Sequence, residues 1–396
     1  MGNIINRYLA REIIIPFFLG LAIFTFILLA DRIINLTELV VSKGAGIIEV
    51  LSLISYILPS FMVIAIPMSF LLAVLLAFGR LSTDEEITAA KSSGLSLVQM
   101  MPPVIILSIG AFIICLFLMI YALPWGNHSF KSKIYNIVKK KADTSIVPGR
   151  VIDSFPDMII YVNEEDKSSG RYKGVLLSEN RKGIKSDTIT AREGELISSP
   201  DELSIILRLY DGSIHREGEK KDMRYSIIDF KTYDLKLSLG TKDGGTRAAP
   251  KGDRELSLSE LIKKADELES EGRDSNYLLV ELHKKFSIPF ACIVFAFIGA
   301  PLGIQGKRSG KAYGFIVSLI IITVYWLFLL WGEVLGDKGS LPPFISMWAP
   351  NIFFLIIGLH ILNKANRDSE IKALSIFGRI YSFITSIIRK VYRYER

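Results

Sequence analysis

Six apolar runs, each long enough to cross a bilayer, constrain this 396-residue chain more than any other feature. They lie near residues 13–30, 57–78, 104–123, 286–304, 312–331 and 344–362. Hydrocarbon offers no water to satisfy an open backbone, so such runs must fold as helices. The stretch between the third and fourth runs is different. Charged residues, 22% of the chain, concentrate between Asn127 and Lys285, so a polar domain is inserted midway. The first run ends in Asp31-Arg32 rather than in a small-residue cleavage site, which reads as a retained span and not a signal peptide.

An even number of spans puts both termini on one side. On that side fall Arg7, Arg11, Arg80, Lys91, Lys307, Arg308, Lys311 and the basic tail, against Arg32, Lys43 and Lys338 in the short loops opposite. The positive-inside rule therefore predicts cytoplasmic termini and an outward-facing insert. Pro59, Pro67, Pro289 and Pro301 interrupt the second and fourth spans, either as ordinary kinks or as marks of helices that move.

Within the insert, residues 157–239 alternate apolar and polar side chains between turn residues, with Asp211-Gly212 as a turn signal between the last two segments. This predicts an antiparallel sheet or sandwich. His128, His215 and His283 are scattered without metal-ligand spacing, and no nucleophile recurs beside a base, so the insert reads as a binding module. Cys115 and Cys292 both sit in apolar runs, which excludes a disulfide staple in the insert. Residues 241–255 read as a linker, and Ser257 with Glu260 forms a capping-box signal for a following helix that ends at Gly272. The expected organisation is spans one to three over 1–124, the outer β domain over 125–256, a linker helix over 257–285, spans four to six over 286–363, and a cytoplasmic tail over 364–396. That tail interleaves Leu374, Phe377, Ile380, Ile384 and Ile387 with Arg and Lys. It reads as an amphipathic helix on anionic lipid or as a frayed basic end.

Between the second and third spans runs Gly79-Arg80-Leu81-Ser82-Thr83-Asp84-Glu85-Glu86-Ile87-Thr88-Ala89-Ala90-Lys91-Ser92-Ser93-Gly94. A short charged helix there is a surface on which a partner outside the membrane can push. The chain holds no phosphate-binding loop of its own: in Gly303-Ile304-Gln305-Gly306-Lys307-Arg308-Ser309-Gly310, Arg308 follows the lysine where Ser or Thr is required. Any energy from ATP must come from another subunit. Arg32 either pairs with Asp31 as an anchor or offers a guanidinium to a phosphate or carboxylate. Glu333, past Trp331, reads as a solvated interfacial group.

These residues resemble the lipopolysaccharide-export permease family LptF/LptG. The resemblance runs from Arg7-Tyr8-Leu9-Ala10-Arg11-Glu12 through Leu58-Pro59…Pro67-Met68 to Gly79-Arg80-Leu81…Glu86-Ile87…Ser93-Gly94-Leu95-Ser96. It resumes from His283-Lys284-Lys285-Phe286 to Pro301-Leu302. Leu29-Ala30-Asp31-Arg32 and the 81–84 portion look more like the LptF branch.

The resemblance implies a Gram-negative inner-membrane permease subunit, with six transmembrane helices and an inserted periplasmic β-jellyroll domain. It implies a second, LptG-like permease subunit, an LptB-like ATPase dimer, LptC-like and LptA-like bridge proteins, and lipopolysaccharide as cargo. The coupling helix maps to about 80–96, with Arg80, Asp84, Glu85, Glu86, Ile87, Gly94 and Leu95 facing the ATPase. Arg32 maps to a lipid-phosphate contact, and Asn35 stands where relatives often carry a further basic residue. Ile27 and Asp31 on the first span, with Tyr325 and Leu329 on the fifth, map to lateral gates. No cofactor, metal, catalytic residue or nucleic acid is implied. A membrane-anchored scaffold or sensor, whose β domain binds a protein, is the alternative from another class. A membrane enzyme is weaker, because the runs show no polar residues suited to acid–base work.

Overall fold

Each apolar run lies within a helix that extends past one or both of its ends. The computed structural model describes residues 2–43, 46–145, 148–155, 158–166, 171–179, 187–199, 204–217, 225–237, 256–305 and 310–367. Helix α1 (Gly2–Lys43) and helix α2 (Ile47–Thr83) carry the first two runs, and the short α3 (Glu86–Ser92) follows. The third run occupies α4 (Pro102–Phe117), which a π-turn at Leu118–Ala122 joins to α5 (Leu123–Ser145). After the sheet come α6 (Leu258–Ser270), α7 (Asn276–Gln305), α8 (Gly310–Asp337) and α9 (Pro343–Asn366). Six of the described helices are long and apolar enough to cross a membrane. The boundaries expected at 125 and 286 thus fall inside helices α5 and α7. The capping box at Ser257 is present: its hydroxyl accepts from the Glu260 amide, and its own amide donates to the Glu260 carboxylate at 2.8 Å. The tail beyond residue 367, the linker at 241–255 and the 306–309 turn lie outside the described residues.

The chain divides into two compact units, one holding the spans and the other the sheet. In the span unit, 83% of the most apolar window of α7 and 72% of that of α2 are buried, against 17% for α1. Helices α2 and α7 are therefore the centre, and α1 is a peripheral helix whose Ile15, Phe18, Leu19 and Phe26 face outward. Small residues one turn apart permit the close crossings. Gly299 and Gly303 of α7 lie on Val74 and Phe78 of α2, where a Cβ on Gly303 would come within 2.8 Å of Phe78 Cβ. Gly332 and Gly336 of α8 do the same against Ser346 of α9. Polar side chains pin α7, α8 and α9 together: Asn351 Nδ2 donates to Ser287 Oγ at 2.8 Å, and Tyr325 donates to Asn351 Oδ1 at 3.2 Å. Both cysteines are free and buried.

The second unit holds a six-stranded antiparallel sheet in sequence order: β1 (Val151–Phe155), β2 (Met158–Asp166), β3 (Arg171–Glu179), β4 (Asp187–Ser199), β5 (Ser204–Glu217) and β6 (Tyr225–Leu237). To the jellyroll-like expectation the structure adds this connectivity, a meander in which every strand pairs with the next. On one side of the sheet the buried row is Ile160, Leu177 and Ile189, continued by half-buried Ile214, with Val162, Val175 and Ala191 beside it. Further along the strands the inward positions change parity, to Tyr172, Gly194, Leu209 and Tyr233, and to Leu196, Leu207 and Leu235. Between them runs a row, Asn163, Gly174, Arg192, Asp211 and Lys231, that the strand pairing skips. Gly174 and Asp211 in that row adopt φ of +65° and +48°. The row is a crease: skipping one residue per strand keeps one face inward despite the period of two. Asp211-Gly212 is accordingly not a hairpin turn between strands. Its left-handed backbone flips β5 in mid-course instead of reversing the chain. Tyr135 of α5 completes this core.

Candidate functional site

The segment between α2 and α4 is half core and half surface. Leu81, Ile87 and Leu97 are buried in the bundle, whereas Asp84, Glu85 and Ser93 are exposed. Helix α2 ends in a turn at Asp84, and Glu85 takes φ 58°, ψ 10° before α3 begins at Glu86. A left-handed non-glycine residue is costly and persists only where its surroundings hold it. Helix α3 closes with a Schellman motif. Gly94 at φ +87° donates to the Lys91 carbonyl at 2.9 Å, and Leu95 donates to the Ala90 carbonyl at 3.1 Å. Leu95 and Ala90 both pack on the bundle core, supplying the hydrophobic contact that accompanies such a cap.

The segment is tied to three other helices. On α1, Tyr8 donates to Glu86 Oε1 at 3.0 Å, and Glu12 accepts from Arg80 Nη1 at 2.7 Å. Arg80 also reaches Asp84, one turn on, at 3.4 Å. On α7, the Ile304 carbonyl accepts from the buried Ser82 hydroxyl at 2.6 Å. At the end of α9, Lys91 donates to the Ala365 carbonyl at 3.2 Å, and Asn366 Oδ1 accepts from the Leu97 amide at 3.1 Å. A lysine on the last carbonyls of a helix is a favourable C-terminal partner. The structure thus brings Arg80, Asp84, Glu85, Glu86, Ile87, Gly94 and Leu95 into one continuous element. Tyr8, Glu12, Ser82, Lys91 and Asn366 complete it, and sequence reasoning missed their part. The signal for the first two was present: they stand at i and i+4 on one helix face. Their partners, 78 and 68 residues away, were not legible.

The other expected residues lie elsewhere. Arg32 is exposed on α1, and the side chains of Asp31 and Asn35 lie outside the described residues. Ile27 is exposed on α1. Tyr325 and Leu329 are buried in the chain's own core, Tyr325 against Phe295 and Phe354, while the outward face of α8 carries Leu327, Phe328, Leu330 and Trp331. Beyond these, Glu281, Lys284 and Lys285 are buried on α7. Lys284 bridges Glu281 at 3.3 Å and Glu333 of α8 at 2.6 Å. Glu333 is therefore an ion-paired group rather than a solvated one.

The family model described as lipopolysaccharide export system permease LptF/LptG matches residues 7–364. The lipopolysaccharide export system permease protein LptF of Escherichia coli K12 is 22% identical over 363 residues, covering 91% of this chain and 94% of its own length, and that of Shigella flexneri matches equally. An uncharacterised protein of Rickettsia prowazekii is 20% identical over 154 residues, 39% of this chain and 42% of its own length. Six apolar helices, the inserted sheet and a family match over nearly the whole chain lead to one assignment: this multi-pass inner-membrane protein belongs to the LptF/LptG family of lipopolysaccharide export permeases.

Proposed function

We propose that the chain is an LptF-branch permease subunit whose segment 80–96 receives the closure of a separate LptB-like ATPase dimer and converts it into movement of the spans. One observation carries this reading. The segment exposes Asp84 and Glu85 while its other side is hydrogen-bonded to α1, α7 and α9, so a load on it reaches three spans at once. Glu86 accepts a basic group of the ATPase through the carboxylate oxygen that Tyr8 leaves free, and Ile87 and Leu95 anchor the segment to the bundle core. The basic residues near 7–11, 80–91 and 307–311 favour cytoplasmic termini and a periplasmic sheet unit.

The exposed apolar faces of α1 and α8 pair with an LptG-like subunit around the lipid path, with exposed Ile27 on one side of a gate. The family resemblance maps Asp31, whose side chain lies outside the described residues, to the same gate. On α8, Leu327, Phe328 and Trp331 form the outward face, and Tyr325 and Leu329 back it from the core. Exposed Arg32 meets a lipid phosphate with forked hydrogen bonds. The apolar inner rows of the sheet then carry acyl chains towards LptC-like and LptA-like proteins.

The test is purification in mild detergent, followed by reconstitution with lipopolysaccharide. The chain should bring down an ATPase and a second six-span subunit, and Glu86→Ala should reduce ATP-driven lipid release while leaving the protein folded. Capture of neither partner, as a sensor or scaffold would give, refutes the assignment. Unchanged release in Glu86→Ala refutes the role of the segment.

A further inference from the structure

We infer that Tyr8 and Glu12 are positioning residues that tether the first span to segment 80–96, so that α1 moves with the segment and is not left to follow it. The inference rests on the coupling role proposed above.

Two attachments straddle one strained residue. Glu12 holds Arg80 before Glu85, and Tyr8 holds Glu86 after it. A single contact would let the segment swivel about it, whereas two contacts a helical turn apart fix both position and rotation. The left-handed backbone of Glu85 is what lets α2 and α3 present both side chains to the same face of α1. Helix α1 needs such a tether, because it is the least buried of the candidate spans; among its described residues Leu9, Ile13 and Phe24 are the apolar side chains sunk into the core. With little packing to hold it, it could slide relative to the bundle at small cost. Tyr8 also does not exhaust its partner: a carboxylate offers about four lone-pair positions, so Glu86 can accept from Tyr8 and from an outside cation together. Force applied to Glu86 from below then passes through the Tyr8 hydroxyl into α1. Both tethers are solvent-accessible and individually weak, so they act by registering two elements and add little to the stability of the fold.

The experiment uses the full permease–ATPase complex in liposomes containing lipopolysaccharide. It compares wild type with Tyr8→Phe, Glu12→Gln and the double variant, which remove donor or charge without changing shape. ATPase binding and ATP hydrolysis should stay at wild-type level. Lipid released per ATP should fall about fivefold in the single variants, the factor carried by loss of one exposed contact, and further in the double. Glu12→Arg with Arg80→Glu should recover release relative to either change alone. Spin labels at exposed Arg11 and Ser92 give a readout independent of turnover: their distance distribution should be narrow in wild type and broad in the double variant. Undiminished release per ATP in the double variant, or an equally narrow distribution, overturns the tether while leaving the coupling role intact. A wild-type complex that hydrolyses ATP without moving lipid removes both.

Discussion

Lys284 of α7 donates to Glu333 of α8 across 2.6 Å and to Glu281, one turn back on its own helix, at 3.3 Å. All three side chains are largely withdrawn from water, at 7%, 20% and 10% exposure. Removing one partner of a buried ion pair strands the other, at about 3 kcal/mol or more. Lys284→Met removes the cation that both carboxylates share, whereas Glu333→Gln leaves Lys284 still paired to Glu281. Thermal unfolding in detergent should therefore show the lysine variant as the less stable of the two, and the reverse order would refute this account of the cluster.

The neighbouring lysine should behave oppositely. Lys285 is fully buried, and its Nζ has no hydrogen-bond partner among the described residues. Desolvating an ammonium that makes no hydrogen bond, with only the nearby Glu281 carboxylate to offset it, is costly, and methionine has similar length and volume without the charge. Lys285→Met should stabilise the protein by about 1–3 kcal/mol in the same assay. A loss of stability would refute the buried ammonium as a net cost to the fold.

The spans were legible because apolar length has one solution in hydrocarbon, and the segment at 80–96 because charged residues there interrupt it. What stayed hidden was relational. Tyr8 and Glu86 are 78 residues apart, so nothing in either local pattern announces their contact. Glu333 looked solvated beside Trp331 because its cation lies on another helix. Tyr325 and Leu329 sit in an evenly apolar run, whose inward face periodicity alone could not choose. Asp211-Gly212 carries the chemistry of a turn, and the left-handed backbone is there, but a crease uses the same residue types as a hairpin.

Gly94 isolates a backbone effect. A Cβ there would meet nothing within 4 Å, so Gly94→Ala costs only the strain of φ +87°, about 1 kcal/mol. Hydrogen exchange should accelerate in the amides of α3 and Leu95, with the spans unchanged. Gly94→Asn, which tolerates left-handed backbone better, should fall between alanine and wild type. Equal protection in all three proteins would count against the Schellman cap as the element's stop.

Gly174 tests the crease. It combines φ +65° with a neighbour at close range, since a Cβ would lie 3.0 Å from Asn163 Cβ. Gly174→Ala should cost more than Gly94→Ala, about 2 kcal/mol, because backbone strain and crowding add. The loss should appear as faster exchange in β2, β3 and β4 of the full-length protein. Exchange confined to the β3 end would show that the row does not act as one unit.

Arg208 and Asp234 face each other across β5 and β6 and share two hydrogen bonds, Nε to Oδ1 at 2.7 Å and Nη2 to Oδ2 at 2.8 Å. Hydrogen bonding from Arg208 holds the Asp234 carboxyl below its ordinary range, and Asp234 in turn pushes the guanidinium up. A carboxylate whose folded value is depressed stabilises the fold above its unfolded value, near 4, and loses that contribution as the pH falls through the folded value. The pair is exposed, so water and salt screen it and the effect is small. Asp234→Asn cannot titrate. The difference in unfolding temperature of the sheet between wild type and Asp234→Asn should hold from pH 7 to about 5, shrink below about pH 4, and diminish in about 1 M salt. A difference that stays constant across this range would show that the contact acts through packing and not through charge.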